Sequence, residues 1–296
     1  FGSVALLTTI GDASGYSDNE DSYSVALTDP FRDGELEAES EPSMFLTGID
    51  GLGSGYETAR AVELFGRHLT GGLCAGSSFE QAVYEGIKHV QREFRWALAW
   101  NSLKFCKPRF ERKMETGLVY AASEVFRNRV LHRHVGDART VHLRGEEVVY
   151  ESKDHTCVAE ALAEGFDKYE VHLRPSTFEV SDKPLNNYEV WGTIRVIAGR
   201  LHLAAATSES CELKRGDRIV IFSDGVSDNI LNEKVIEIAK LYSDPCEAAQ
   251  AIRWYVERLI SCERYCRWYP TKPDNILVIV YDHDPDDSML VQRHRG

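Results

Sequence analysis

Two short apolar runs in this chain end in the same acidic turn. Residues 44–51 read Met-Phe-Leu-Thr-Gly-Ile-Asp-Gly, and residues 218–225 read Arg-Ile-Val-Ile-Phe-Ser-Asp-Gly. Each reads as a buried strand that delivers a carboxylate, Asp50 or Asp224, to its end. The glycine behind each aspartate lets the backbone turn sharply and approach whatever sits there. An isolated buried charge is expensive, so carboxylates at two such tips call for a partner, and a cation between them is the simplest one.

The remaining elements fall into blocks. Strands are expected at 22–28 and 44–49, separated by an acidic loop at 32–42 that reads as a solvated hairpin connection. Helices follow at 57–68 and over 79–98, where Phe79, Ala82, Val83, Ile87, Val90, Phe94, Ala97 and Leu98 recur at helical spacing. That stripe is core packing. Four strands come next, at 117–122, 129–135, 140–143 and 147–151, joined by Arg-Asn, Gly-Asp and Arg-Gly turns suited to antiparallel hairpins. A helix capped by Asp154 is expected at 154–164. Residues 166–193 read as a flap, 217–223 as a strand, 232–241 and 245–264 as helices, and 275–282 as a closing strand. The tail at 284–296 is expected to fray. Strands and helices are segregated rather than alternating one for one, so the chain is α+β in layers and not a doubly wound sheet. No linker divides it, and residues 1–296 are expected to form a single domain.

Composition narrows the function. A formal net charge of −13 on 296 residues disfavours nucleic-acid and anionic-membrane partners, both of which reward a basic surface. Seven scattered cysteines show no disulfide framework, which points to a reducing compartment, cytoplasmic or nuclear. Cys262 and Cys266 lie four apart, with no histidine nearby to complete a zinc set. His132 and His134 alternate on an expected strand and read as structural.

Three more acidic positions stand at turns beside apolar runs: Glu20 and Asp21 before the first strand, Asp137 between two strands, and Asp274 before the last. Hard divalent cations such as Mg²⁺ and Mn²⁺ take oxygen ligands and keep several waters. Each aspartate alone is an ordinary turn residue. Jointly they fit such a site.

With these pieces in order, the sequence resembles the metal-dependent protein phosphatases of type 2C, the PPM family. The matching segments are Asn19-Glu20-Asp21-Ser22-Tyr23, Phe45 through Asp50-Gly51-Leu52-Gly53, Thr116-Gly117 and Val135-Gly136-Asp137-Ala138-Arg139. Lys153-Asp154-His155, Arg195-Val196, Gly199-Arg200-Leu201, Phe222-Ser223-Asp224-Gly225 with Asp228, and Asp274-Asn275 complete them. The resemblance implies a four-layer α-β-β-α sandwich with two central antiparallel sheets and a centre for two Mg²⁺ or Mn²⁺ ions at one end. It implies that Asp50 bridges the ions, that Gly51 adds its carbonyl, and that Glu20 and Asp21 act directly or through water. Asp224 and Asp274 would complete the second ion's shell, and Asp137 and Asp228 match positions that help hold a weaker third cation. The activity implied is hydrolysis of phosphoserine and phosphothreonine in a phosphoprotein substrate by metal-activated water, in a monomer.

Two departures stand out. Many eukaryotic members carry a histidine that resembles a general acid where this chain has Leu52, although many bacterial members have an apolar Met there. Relatives often place a phosphate-clamping arginine where this chain has Tyr16, and a phenol replaces a bidentate charged contact by one neutral hydrogen bond. His155, with the arginines near the flap, is expected as a weak compensating phosphate contact. A catalytically weak or inactive relative that binds a partner is therefore the alternative reading. A different Mg²⁺-dependent phosphotransfer fold would need alternating βαβ units, which this order of elements does not provide.

Overall fold

The computed structural model of the chain describes residues 2–9, 19–28, 42–51, 58–104, 115–155, 179–180, 183–184, 194–197, 200–202, 206–261, 274–284 and 290–295. Two sheets face each other. One has the strand order β15 (Leu290–Arg295), β1 (Gly2–Thr9), β14 (Ile276–His283), β13 (Arg218–Phe222), β6 (Arg139–Arg144), β7 (Glu147–Glu151). It is antiparallel except where β15 runs parallel to β1. The second sheet is antiparallel and is ordered β11 (Arg200–His202), β10 (Ile194–Ile197), β4 (Glu115–Val125), β3 (Ser43–Gly51), β2 (Ser22–Thr28). Strand β5 (Arg129–Val135) pairs with the far half of β4 and carries β12 (Thr207–Glu212) at its edge.

Helices α1 (Thr58–Cys74) and α2 (Phe79–Lys104) cover the outer face of the second sheet. Helices α4 (Asn232–Leu241) and α5 (Pro245–Ser261) cover the outer face of the first, and α3 (Asp224–Ser227) is a single turn after β13. The result is the expected α-β-β-α sandwich. On α1, Phe65, Leu69 and Leu73 recur every fourth residue and are fully buried against the second sheet, each contributing about 1.5–3 kcal/mol by burial.

The period of two in a strand decides where the chemistry lies. In β3, Phe45 and Ile49 face the helices, whereas Met44 and Leu46 pack between the sheets. Gly48 continues the inner face, and a Cβ there would lie 2.7 Å from Leu277 and 2.9 Å from Ile221 of the opposite sheet, so glycine lets the sheets close. Two residues on, the same face presents Asp50. In β13, Ile219 and Ile221 face inward, and Ser223 follows them. In β14, Leu277 and Ile279 face inward and Asn275 precedes them. Three inner faces therefore end together in Asp50, Ser223 and Asn275.

The fraying expected of the tail is corrected at 290–295, which form β15: an edge strand is held by backbone pairing to β1 and needs no apolar pattern of its own. Strands β1 and β12 were not anticipated, and α1 extends beyond residue 68 to Cys74. In the flap region, β8 (Glu179–Val180) pairs with β9 (Lys183–Pro184). The acidic loop at 32–42 apart from residue 42, the body of the 154–164 helix, and Cys262 and Cys266 lie outside the described residues. No helix among the described residues is long and apolar enough to cross a membrane.

Candidate active site

Asp21 and Asp50 form the middle of the acidic cluster. Each is 6% exposed, and their carboxyls share a hydrogen bond. Asp50 is delivered by the end of β3, where its backbone pairs with Val119 of β4, and its Oδ2 accepts the Asp224 N–H at 3.3 Å. Asp21 lies just ahead of β2. Its own N–H is held by Asn19 Oδ1 at 2.9 Å, and Asn19 in turn donates to Thr8 Oγ1 of β1. Ser223 joins the sheets here: its Oγ donates to Asp21 Oδ2 at 2.8 Å and accepts the Leu277 N–H at 3.0 Å.

The remaining acids act on this pair through space. Burial pushes the Asp21 carboxyl up to about 8, with Asp224 and Asp274 adding to the rise and hydrogen bonds from Ser223 and Asp50 opposing it. Burial also raises Asp50 well above its ordinary value, followed by the charges of Asp224, Asp21, Asp137 and Asp274. Among the described residues no lysine or arginine is ion-paired with Asp21 or Asp50. Like charges gathered in a poorly solvated place stay ionised only with a cation or lose their charge to protons. No three of the described carboxylates bring one oxygen each within 4.8 Å of one another.

Two glycines are required by close approach. A Cβ on Gly225 would fall 1.8 Å from the Asn275 carbonyl oxygen, so only glycine lets α3 start against β14. A Cβ on Gly51 would meet Thr58 at 2.5 Å and the Glu20 carbonyl at 2.9 Å, which places Glu20, Gly51 and the start of α1 together. Asp228 caps α3 with its N–H on the Asp224 carbonyl at 2.8 Å. Asp274 Oδ1 accepts the Asn275 N–H at 2.9 Å, while both side-chain polar atoms of buried Asn275 lack a hydrogen-bond partner.

Asp137 sits at the turn between β5 and β6, beside Arg139. The Arg139 guanidinium grips Asp154 with Nε at 2.8 Å and Nη2 at 2.5 Å, and donates from Nη1 to Asn232 at 2.6 Å. Burial works against its charge, but Asp154, Asp228 and Asp137 more than offset that and strengthen its hold on the proton. Asp154 thus anchors an arginine, a role the sequence had not suggested. His155, expected as a weak phosphate contact, is buried and bonded to the Gly136 backbone: its backbone N–H donates to the Gly136 carbonyl at 2.9 Å, and its Nδ1 accepts the Gly136 N–H at 3.3 Å. It braces the turn that carries Asp137. Tyr16 and Leu52 lie outside the described residues. Asp50, Gly51 and Asp224 end or begin elements at this side of the sandwich, and Glu20, Asp21, Asp137, Asp228 and Asp274 lie in the turns beside such elements. Ser223, Asn275 and Asp154 stand out in the sequence only as parts of motifs; the inward parity of β13 and β14 would have singled out the first two.

No family model and no curated protein matches the sequence. Solved structures do. The serine/threonine phosphatase Stp1 from Staphylococcus aureus superposes with a TM-score of 0.66 at 14% identity, covering 96% of both chains. The Mycobacterium tuberculosis serine/threonine phosphatase PstP/Ppp gives 0.59 at 21% identity, over 94% of this chain and 97% of that one. The catalytic domain of PstP in complex with two manganese ions gives 0.60 at 22% identity, over 94% and 96%. At these identities the likeness speaks for architecture, and over nearly its full length the chain has the fold of the bacterial PPM-type serine/threonine phosphatases.

Proposed function

We propose that the protein is a metal-dependent phosphatase that hydrolyses phosphoserine and phosphothreonine in protein substrates, using Mg²⁺ or Mn²⁺. The observation that carries this reading is the buried Asp21–Asp50 pair, acted on by Asp224, Asp274 and Asp137 and ion-paired with no cationic side chain among the described residues. An all-oxygen donor set of this kind fits hard divalent ions and would not select zinc. The two manganese ions in the PstP structure support the same reading for this fold.

In this scheme Asp50, the Gly51 carbonyl, Glu20, Asp21, Asp224 and Asp274 would hold two ions, directly or through water, and Asp137 and Asp228 would serve a weaker third site. Two such ions would supply a water nucleophile at neutral pH and neutralise charge on the phosphoryl oxygens. The protein's part is to position them. Ser223 holds the Asp21 carboxylate in one rotamer while its Oγ stays on the β14 backbone. The Asp224 N–H orients one oxygen of Asp50. Arg139 keeps Asp137 and Asp228 from accumulating uncompensated charge. No cysteine or serine nucleophile is required.

Leu52 and Tyr16 favour a second reading, a weak or inactive relative that binds a partner. One assay separates the two: turnover of an aryl phosphate and a phosphothreonine peptide while Mn²⁺ is titrated, with Asp50→Asn and Asp224→Asn as controls. Metal-dependent turnover lost in both variants supports the enzyme. Manganese binding with no turnover above the variants supports the partner-binding protein. If a missing general acid limits the rate, Leu52→His raises turnover, by up to about 10²-fold.

A further inference from the structure

Between the sheets, at the middle of β5, His132, His142 and Cys211 bring one ligand atom each within 4.8 Å of one another. They come from three strands and both sheets: His132 from β5, Cys211 from its edge partner β12, and His142 from β6 opposite. His132 and His142 are fully buried, and Cys211 is partly so. We propose that His132 Nε2, His142 Nδ1 and Cys211 Sγ bind one Zn²⁺ ion that staples the two sheets together.

The case rests on how the two imidazoles are held. His132 Nδ1 lies 2.9 Å from Ser123 Oγ, and His142 Nε2 lies 3.0 Å from Asp217 Oδ2. Each ring therefore has its far nitrogen engaged and turns the other toward the partner ring. Those inner nitrogens, His132 Nε2 and His142 Nδ1, are 3.4 Å apart. Two nitrogens at 2.0–2.1 Å from a tetrahedral ion stand about 3.3–3.4 Å apart. The same distance is long for a hydrogen bond between rings. Asp217 is itself fixed by Arg144 Nε at 2.9 Å, by Arg144 Nη2 at 2.8 Å and by the Lys214 N–H at 2.8 Å, the carboxylate–histidine support that zinc ligands usually have. Tyr150 stacks on His132, with centroids 4.4 Å apart and planes within 8°, and locks its orientation. Two nitrogens and a sulfur suit zinc, with water in the fourth position. On binding, the Cys211 thiol gives its proton to solvent as the sulfur–zinc bond forms, while His132 Nδ1–H and His142 Nε2–H remain donors to Ser123 and Asp217. His132 stands three residues, about 10 Å of strand, before the end of β5 that leads to Asp137, and no residue of the acidic cluster belongs to the His132–His142–Cys211 group, so the two sites are separate.

Metal-stripped full-length protein would be titrated with Co²⁺, whose sulfur-to-metal absorption band an oxygen-only centre cannot produce. The expected result is one equivalent of cobalt carrying that band, displaced by Zn²⁺ and absent in Cys211→Ser, with zinc affinity reduced at least about tenfold in the variant. In the wild-type protein, one equivalent of Zn²⁺ should also slow alkylation of a single thiol, mapped to Cys211 by peptide mass, which keeps the test open if the variant folds poorly. No sulfur band at stoichiometric cobalt, a band that persists in Cys211→Ser, or zinc protection of a different cysteine overturns the proposal and leaves a metal-free Ser123–His132–His142–Asp217 relay in its place.

Discussion

Asp21→Asn should remove a loss of stability that the metal-free protein suffers above about pH 6.5. In the folded chain the Asp21 carboxyl is pushed from an ordinary value of 3.8 to about 8, first by burial and then by Asp224. Its folded form holds the proton more tightly than the unfolded form, so the protonated group's contribution is fully present below 3.8 and is lost as pH rises toward 8. Between about pH 6.5 and 8 a single such group accounts for a loss of about 1.5 kcal/mol. Buried histidines act in the opposite direction. Burial pushes His132 down to about 3 and lowers His134, His142 and His155, so stability rises as the unfolded chain loses its imidazole protons, and each still adds up to about 0.4 kcal/mol between about pH 6.5 and 8. Asp21→Asn carries the same histidines, so the difference between the two proteins isolates the carboxyl. Urea unfolding in a chelator, at about pH 6.5 and about pH 8, should show wild type changing less favourably than Asp21→Asn by about 1.5 kcal/mol. Saturating Mn²⁺ should remove that gap, because a cation holds the carboxylates ionised. A metal-free wild type whose stability changes in parallel with the variant's would refute the reasoning.

Two further changes test the frame around the site. Gly225→Ala places a methyl 1.8 Å from the Asn275 carbonyl; the α3 start must move, and a loss of about 3 kcal/mol or more is expected in thermal melts, with Mn²⁺ binding weakened alongside. Arg139→Lys keeps the charge but loses the fork on Asp154 and the bond to Asn232, so urea unfolding should show a cost of about 1–3 kcal/mol. A cost below about 0.5 kcal/mol, the scale of exposed pairs, would mean that Asp154 needs no partner.

Much of the site could be read from strand parity. Once Met44 and Leu46 are placed inside, Asp50 must share their face, and Ile219 and Ile221 carry Ser223 to the same layer. The helices were recognisable because apolar residues at every third or fourth position line up along one side of a 3.6-residue turn and leave the other side polar. Helix α1 runs past its expected end at residue 68, through Gly71 and Gly72 to Cys74; a Cβ on Gly72 would come 3.1 Å from that of Ala82, so this glycine sets a close helix–helix approach. Edge strands were harder. Strand β12 reads Thr-Ser-Glu-Ser-Cys-Glu, mostly exposed, and is fixed by its register against β5 from Thr207↔His134 to Glu212↔Arg129. Backbone pairing leaves no apolar mark in a sequence.

Side chains that act across loops were the least legible, and Asp154 shows why. At the start of an expected helix, an aspartate is a cap by default. Its use as the counter-ion of Arg139, 15 residues earlier, depends on β6 and β7 folding back so that Thr140 N–H meets Ser152 Oγ at 2.9 Å and Ser152 N–H meets the Thr140 carbonyl at 3.0 Å. That turn brings Asp154 beside the guanidinium and His155 beside Gly136. The consequence reaches the acidic cluster. Asp137 and Asp228 share their surroundings with a fixed cation, whereas Asp21 and Asp50 have none ion-paired with them among the described residues. A divalent ion gains most where charge is least compensated, so added Mn²⁺ should load at Asp50 and Asp21 first and beside Asp137 and Asp228 last and most weakly. Arg139→Met, by removing the fixed cation, should tighten that last step without strengthening the first.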